Sequence, residues 1–187
     1  MTRRFVLLDR DGTIIVERDH LDDPDDVELI PGAAEAIVRL RDELGLGIVV
    51  VTNQAQIGRG ALSSERLAEI NDRVAALLAA EGASLDAVFH CPHAPEDGCE
   101  CRKPRPAMAL RAAERFAFDP SRSFVVGDHA GDMGLGRAVE ATTILVLTGH
   151  GGEERPKADG LADHVAADLG AAVDIIAALL AEASEEG

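Results

Sequence analysis

Two aspartates separated by a single residue, Asp9 and Asp11, are the strongest chemical feature of the sequence. They follow the apolar run Phe5–Leu8 and lead into a turn at Gly12. A carboxylate at the end of a buried strand can attack phosphorus and form an aspartyl-phosphate. A second carboxylate two residues later can protonate the leaving oxygen and then activate water. The pattern is therefore compatible with Asp9 as a nucleophile and Asp11 as a general acid and base.

An ordinary Asp-Gly turn or a calcium-binding loop is the alternative interpretation of this motif. A calcium loop needs further oxygen ligands at fixed offsets and a late glutamate. Val16 and Arg18 do not supply such ligands, and the apolar strand before Asp9 does not suit such a loop. The motif alone leaves catalysis and a simple turn both open.

A second pair of carboxylates, Asp128 and Asp132, follows the apolar run Ser123–Val126. Magnesium prefers hard oxygen ligands and keeps several of its waters. We therefore expect Mg²⁺ to bind the side chains of Asp9 and Asp128 and the main-chain carbonyl of Asp11. Asp132 would orient this shell or bind through water.

A hydroxyl and a cation complete the set, at Thr52 and Lys103. Catalysis of phosphoryl transfer depends mainly on stabilising the non-bridging phosphate oxygens, which both groups can contact. Each has a simpler explanation by itself, a strand-end turn for Thr52 and a solvated charge for Lys103. Their joint order along the chain favours the catalytic role.

Three cysteines and a histidine form a C-x-H and C-x-C pattern with five residues between the two halves. Three thiolates and one imidazole complete a tetrahedral zinc site with no open position for substrate. Free buried cysteines or a redox switch are the alternatives. We predict a structural Zn²⁺ that holds the loop 91–104, with ligands Cys91, His93, Cys99 and Cys101.

Short apolar runs alternate with amphipathic stretches along the chain, which is typical of an α/β fold with a doubly wound parallel sheet. Ligands bind beyond the carboxyl ends of the strands in such sheets, where the polar residues above are expected. The predicted strands are Phe5–Leu8, Ile48–Val51, Ala87–Phe89, Ser123–Val126 and Ile144–Leu147. The predicted helices are Ala33–Leu44, one from Ser63 to Gly82, one after Pro106, Gly131–Val139, and a last one from Leu169 to Leu180.

The composition limits the possible partners. The chain has 187 residues, 47% of them hydrophobic, and a formal net charge of −16. Such acidity disfavours binding to nucleic acid or to an anionic membrane, while a small phosphorylated substrate remains compatible with a local cationic pocket. We expect one domain, residues 1–187, with a frayed acidic tail at 182–187, and a monomer. The apolar run after the charged start is too short for a signal peptide, so we expect a cytoplasmic protein.

The four motifs resemble those of the haloacid dehalogenase superfamily of phosphatases. The match runs in order through Asp9-Arg-Asp11-Gly-Thr13, Thr52, Lys103, and Gly127-Asp128 with Asp132. The resemblance implies a doubly wound sheet with Asp9 on the central strand. Members often carry a large cap domain, but the gaps after Thr13 and Thr52 leave no room for one.

The cysteine segment that ends in Arg102-Lys103-Pro104 resembles the branch containing heptose-bisphosphate and histidinol-phosphate phosphatases. The segments 20–32 and 52–60 resemble the heptose enzymes, which implies removal of the 7-phosphate from a heptose 1,7-bisphosphate. Histidinol phosphate or another small monoester is the alternative substrate. The sequence departs from the heptose pattern at Ile15, Asp19-His20 and His129. Predicted substrate contacts are Glu17, His20, Asn53, Gln54, Arg59, Arg102, Lys103 and His129.

Overall fold

A six-stranded parallel sheet forms the centre of the computed structural model, which describes residues 3–185. The strand order is β3-β2-β1-β4-β5-β6, and every neighbouring pair is parallel. β1 lies third in this order, so the predicted central strand is confirmed. The strands are β1 (Phe5–Leu8), β2 (Gly47–Asn53), β3 (Ala87–Cys91), β4 (Phe124–Gly127), β5 (Thr142–Val146) and β6 (His164–Ala166).

Helices connect successive strands and cover both faces of the sheet, as parallel connections require. The predicted doubly wound α/β fold is confirmed. The helices are α1 (Ala33–Val38), α2 (Ala55–Gly58), α3 (Ser64–Ala80), α4 (Ala107–Phe116), α5 (Ala130–Ala138), α6 (Gly151–Glu154) and α7 (Leu169–Glu185).

Alternating side chains of β1 divide the core into two layers, because successive residues of a strand point to opposite faces. Val6 and Leu8 pack with the apolar faces of α1, α3 and α7. Phe5 and Leu7 pack with those of α4 and α5. All four side chains are buried, so β1 holds the following Asp9 at a rigid position.

Several predicted boundaries are wrong by a few residues. β2 extends through Thr52 and Asn53, and β3 through Cys91, so these polar residues end their strands instead of following them. The strand β6 was missed because its three residues, His164-Val-Ala166, form no continuous apolar run. The predicted helix 33–44 is regular only to Val38 and continues as a wider π-helical turn, Arg39–Glu43.

The two chain ends also bear on the predictions. Helix α7 continues through Glu185, so the described part of the expected frayed tail is helical. The remainder of that tail, 186–187, and the first two residues lie outside the described part of the chain. None of the helices within residues 3–185 is both long enough and apolar enough to cross a membrane.

The connections at the carboxyl ends of β1 and β2 contain little regular secondary structure. Residues 9–32 contain only a 3₁₀ turn, Pro24–Asp26, and isolated bridges from Ile15 to Asp11 and Leu29. The connection from β2 to α3 contains the single short helix α2. Within the described residues neither connection forms a separate cap domain, as predicted.

Candidate active site

Asp9 lies in the turn that leaves β1, directly above the centre of the sheet. Its main-chain N–H donates to the Val126 carbonyl of β4, which ties the turn to the neighbouring strand. Gly12 has a φ of +74°, and a Cβ atom there would lie 2.1 Å from Asp128 Oδ2. Glycine is therefore needed both for the left-handed conformation and for the close approach of the two motifs.

Lys103 is the cation of this site, and only 6% of it is exposed. Its Nζ lies 2.8 Å from Asp9 Oδ1 and 2.6 Å from Asp132 Oδ1, and it donates to the Val51 carbonyl at 2.8 Å. Burial alone would lower the pKa of Lys103, but Asp132 and Asp9 raise it above its usual range. Lys103 is therefore a fixed positive charge beside Asp9.

Asn53 holds Lys103 through its main chain. The Asn53 side chain accepts from Lys103 N–H at 3.0 Å and donates to the Lys103 carbonyl at 3.3 Å. These two hydrogen bonds link the end of β2 to the segment after the cysteines, and so fix the main chain from which the Lys103 side chain extends.

Three buried aspartates, Asp9, Asp128 and Asp132, place one carboxylate oxygen each within 4.8 Å of one another. Burial, with repulsion from Asp132, raises the pKa of Asp9 to about 7. Burial, with repulsion from Asp9, raises the pKa of Asp128 to about 8. A divalent cation would relieve this repulsion, and oxygen donors are the type that Mg²⁺ prefers. The residues therefore fit a magnesium ion.

Asp11 is held by donors from two elements. Gln54 Nε2 donates to Asp11 Oδ2 at 3.0 Å, and Thr52 Oγ1 does so at 3.3 Å. The guanidinium of Arg10 contacts both oxygens of the carboxylate. The predicted acid and base is thus tied to the predicted phosphate-binding hydroxyl.

A cavity of about 270 Å³ opens above these groups and is the candidate active site. All predicted catalytic and substrate-contacting residues line this one cavity, although their roles remain predictions. Its lining includes Asp9, Asp11, Glu17, His20, Thr52, Asn53, Gln54, Arg59, Arg102, Lys103, Asp128, His129 and Asp132.

Four charged or titratable residues of the lining are not among the predicted site residues: Arg10, Arg18, Asp19 and His150. The His150 main-chain N–H donates to Asp128 Oδ2 at 2.8 Å, which orients that carboxylate. His150 follows β5, so it could have been predicted from the expectation that ligands bind beyond the carboxyl ends of the strands. Arg10 could have been found from its place between the two aspartates.

His129 caps the N-terminus of helix α5 and lines the cavity. Its Nδ1 accepts from Gly131 N–H at 3.1 Å, and its Nε2 lies 3.4 Å from the buried carboxylate of Glu154. Burial lowers the pKa of His129, although Glu154 opposes this shift. The neutral imidazole near pH 7 agrees with Nδ1 acting as an acceptor.

The cysteine segment brings its four candidate ligands together. Cys101 Sγ lies 3.1 Å from Cys91 Sγ, 3.6 Å from Cys99 Sγ and 3.2 Å from His93 Nδ1. A tetrahedron with metal–sulfur bonds of about 2.3 Å has ligand separations of roughly 3.8 Å. The donor set and its compactness fit zinc.

A second cavity, of about 590 Å³, lies between α3 and β3 and is lined mainly by apolar side chains. It contains none of the clustered carboxylates or cysteines. Its size therefore does not make it the site of the chemistry described above.

The chain matches known proteins over almost its whole length. Residues 100–172 match the HAD-hydrolase-like family model. The chain is 37% identical to the D-glycero-beta-D-manno-heptose-1,7-bisphosphate 7-phosphatase of Pseudomonas aeruginosa, across 89% of this chain and 96% of that protein. The corresponding Vibrio cholerae enzyme is 38% identical across 80% and 84%.

Solved structures give the same result. The D,D-heptose 1,7-bisphosphate phosphatase of B. bronchiseptica, complexed with magnesium and phosphate, has a TM-score of 0.86 at 34% identity and covers 92% of this chain and 97% of that chain. The Burkholderia thailandensis enzyme has a TM-score of 0.70 at 34% identity and covers 93% and 98%. The chain therefore belongs to the haloacid dehalogenase family of phosphatases, in the group of the heptose-bisphosphate phosphatases.

Proposed function

We propose that this protein is a magnesium-dependent phosphatase that removes the 7-phosphate of D-glycero-D-manno-heptose 1,7-bisphosphate. The observation that carries the proposal is that Asp9, Asp11 and Lys103 line one cavity. The relatives of this chain are named for the same activity. The product would be a heptose 1-phosphate and inorganic phosphate.

In the first step, a carboxylate oxygen of Asp9 attacks the phosphorus atom and the bond to the sugar oxygen breaks. Asp11 donates a proton to that leaving oxygen. Lys103, which lies 2.8 Å from Asp9, binds the negative charge that collects on the non-bridging oxygens. The hydroxyl of Thr52 contributes a further hydrogen bond.

In the second step, Asp11 removes a proton from a water molecule, which attacks the phosphorus of the aspartyl-phosphate and frees Asp9. Mg²⁺, when bound, would offset the repulsion between the carboxylates and the phosphate dianion. Asp9, Asp128 and the Asp11 carbonyl would hold it, with Asp132 beside them.

We assign to Arg102 and Arg59 the binding of the second phosphate of the substrate. Both line the cavity. Arg102 Nη1 is buried, and no acceptor for it lies among residues 3–185. The planar guanidinium fork suits two phosphate oxygens at once. Glu17, His20, Asn53, Gln54 and His129 would contact the sugar or the reacting phosphate.

The zinc site is assigned a structural role. Zn²⁺ bound by Cys91, His93, Cys99 and Cys101 would order a loop that is rich in proline, glycine and charge. Arg102 and Lys103 follow the last ligand directly, so the metal would fix the two cations of the site. We further place the protein in the cytoplasm as a monomer with no nucleic-acid or membrane partner.

A phosphate-release comparison tests the substrate. Purified wild-type protein and Arg102→Ala are assayed with both anomers of heptose 1,7-bisphosphate and with histidinol phosphate. The proposal expects the bisphosphates to be preferred, and Arg102→Ala to lower kcat/KM for them much more than for histidinol phosphate. Equal losses on both substrates, or preferred turnover of histidinol phosphate, would favour the small-monoester alternative.

A further inference from the structure

The side chain of Arg10 is buried between the turn after β1 and helix α3, with 2% of the residue exposed. A buried guanidinium destabilises a fold unless its donors are paired. Nη1 donates to Asn71 Oδ1 on α3 at 2.8 Å, while Nε and Nη2 donate to Asp11. Arg10 therefore links α3 to the side chain that we assign as the general acid and base.

The contact between Arg10 and Asp11 is a two-point fork, with Nη2 3.0 Å from Oδ1 and Nε 3.2 Å from Oδ2. Gln54 and Thr52 donate to Oδ2 from the other side. An ionised carboxylate has about four acceptor positions. These donors together fix the rotation of the carboxyl group, while 19% of the Asp11 side chain remains exposed to the cavity.

Asn71 holds this arrangement from outside the cavity. It is half-buried on α3, and it does not line the candidate active site. Its contact with Nη1 is the only one of the Arg10 side-chain contacts above that does not involve Asp11. Without Asn71, the guanidinium of Arg10 could rotate together with the Asp11 side chain.

We propose that Arg10 and Asn71 are positioning residues for Asp11, with Asn71 locking the guanidinium and the guanidinium aiming the carboxyl group at the leaving oxygen. The inference rests on the proposed function, because it assumes that Asp11 protonates that oxygen. Catalysis is sensitive to such alignment, since a displacement of about 1 Å can lower a rate roughly a hundredfold.

The leaving group distinguishes positioning from a merely structural role. A sugar alkoxide is a poor leaving group and needs the proton of Asp11, whereas p-nitrophenolate is stable enough to leave without it. Loss of the correct alignment should therefore lower kcat/KM for the sugar phosphate selectively. A general loss of folded protein or of metal would lower both reactions together.

The test uses three variants of α3 in the full chain: Asn71→Ala, Asn71→Asp and Asp72→Ala. Asn71→Ala removes the acceptor for Arg10, Asn71→Asp keeps an acceptor oxygen, and Asp72→Ala changes the exposed neighbouring position as a control. Each is assayed for kcat/KM with heptose 1,7-bisphosphate and with p-nitrophenyl phosphate, and thermal melting checks the fold.

We expect Asn71→Ala to lower the ratio of the two kcat/KM values about tenfold, with Asn71→Asp and Asp72→Ala close to wild type. The positioning role would be overturned if Asn71→Ala lowered both kcat/KM values equally or lowered neither. It would also be overturned if Asn71→Asp lowered the ratio as much as Asn71→Ala does. Each of these results would leave the proposed function standing. A wild-type protein that hydrolyses neither substrate would overturn the proposed function and this inference with it.

Discussion

At the scale of residues, the site is a set of like charges that the fold buries close together. Asp9 and Asp128 are buried with Asp132, and the single lysine among them, Lys103, does not balance three carboxylates. Burial first, and then this repulsion between carboxylates, raises the pKa of Asp9 to about 7 and that of Asp128 to about 8. The cluster is therefore costly for the metal-free protein and suited to a cation.

This cost predicts an unusual pH dependence of stability for the metal-free protein. The folded carboxyl of Asp128 keeps its proton up to a pH of about 8, whereas the unfolded chain loses it near 3.8. The folded state binds more protons in that window, so the free energy of unfolding should fall as pH rises from 4 to 8. Urea unfolding in a chelator at pH 5 and pH 8 measures the change, expected to be on the order of a few kcal/mol.

The variant Asp128→Asn isolates the contribution of this carboxyl. An amide cannot ionise, yet it can still accept the His150 N–H that Asp128 Oδ2 accepts. The variant should therefore be as stable as wild type at pH 5 and more stable at pH 8, provided that metal is absent. Parallel pH profiles for the two proteins would show that Asp128 is not strained in the metal-free state.

At the scale of elements, strand ends and turns bring distant residues to one edge of the sheet. The turn after β1 approaches Asp128 so closely that only glycine fits at position 12. Residues 91–104 contain six members of the two sites within one short connection from β3 to α4. These two segments carry the two predictions at this scale.

Gly12→Ala should destabilise the protein much more than Gly82→Ala. Both glycines have positive φ values, +74° and +82°, which cost alanine about 1 kcal/mol. A Cβ at Gly12 meets Asp128 Oδ2 at 2.1 Å, whereas nothing lies within 4 Å of one at Gly82. Chemical denaturation of both variants should show an extra loss of about 2 kcal/mol for Gly12→Ala. Equal losses would mean that the turn relaxes without cost.

Removal of zinc should expose the segment 91–104 to proteases, because little apolar burial holds its middle part in place. Chelator treatment should open the bond after Arg102 to trypsin, and added Zn²⁺, but not Mg²⁺, should protect it. Cys101→Ser should behave like the chelated protein, and Glu96→Ala, at an exposed position of the same loop that is not a ligand, like wild type. Protection that is independent of zinc would contradict a structural metal.

The sequence predicts five of the six strands because each is a compact apolar run between turn residues. β6 is not predicted, because it is only three residues long and lies at the edge of the sheet, where His164 and Val165 are not fully buried. The short helices α2 and α6 escape because four residues show no helical period. The contact of Arg10 with Asn71 cannot be predicted from the sequence, because α3 approaches the turn after β1 only in the folded protein.

At the scale of the whole molecule, a net charge of −16 coexists with a cavity built to receive phosphate. Arg59, Arg102 and Lys103 line that cavity, so cations for phosphate lie within it, and Mg²⁺ would offset the carboxylates that line it as well. The same acidity opposes self-association. The motifs for the reaction and the cysteine loop meet on one edge of a single sheet, which explains how a short chain manages without a cap domain.

The charge predicts a monomer in solution. Light scattering after gel filtration should give a mass near 19.7 kDa at low ionic strength, where repulsion between copies is greatest. The mass should stay at this value when salt is raised, since the proposed site is complete within one chain. A mass of about twice this value at both salt concentrations would contradict the prediction.

The central claim is that Asp9 forms the covalent intermediate, and phosphate release by Asp9→Asn tests it most directly. The variant keeps the size of the side chain and an oxygen that can accept the Arg10 N–H that Asp9 Oδ1 accepts at 2.7 Å. With heptose 1,7-bisphosphate and Mg²⁺, wild type should release the 7-phosphate. The folded variant should lose activity by about a thousandfold or more. A folded Asp9→Asn protein that releases phosphate at a rate near that of wild type would contradict the mechanism.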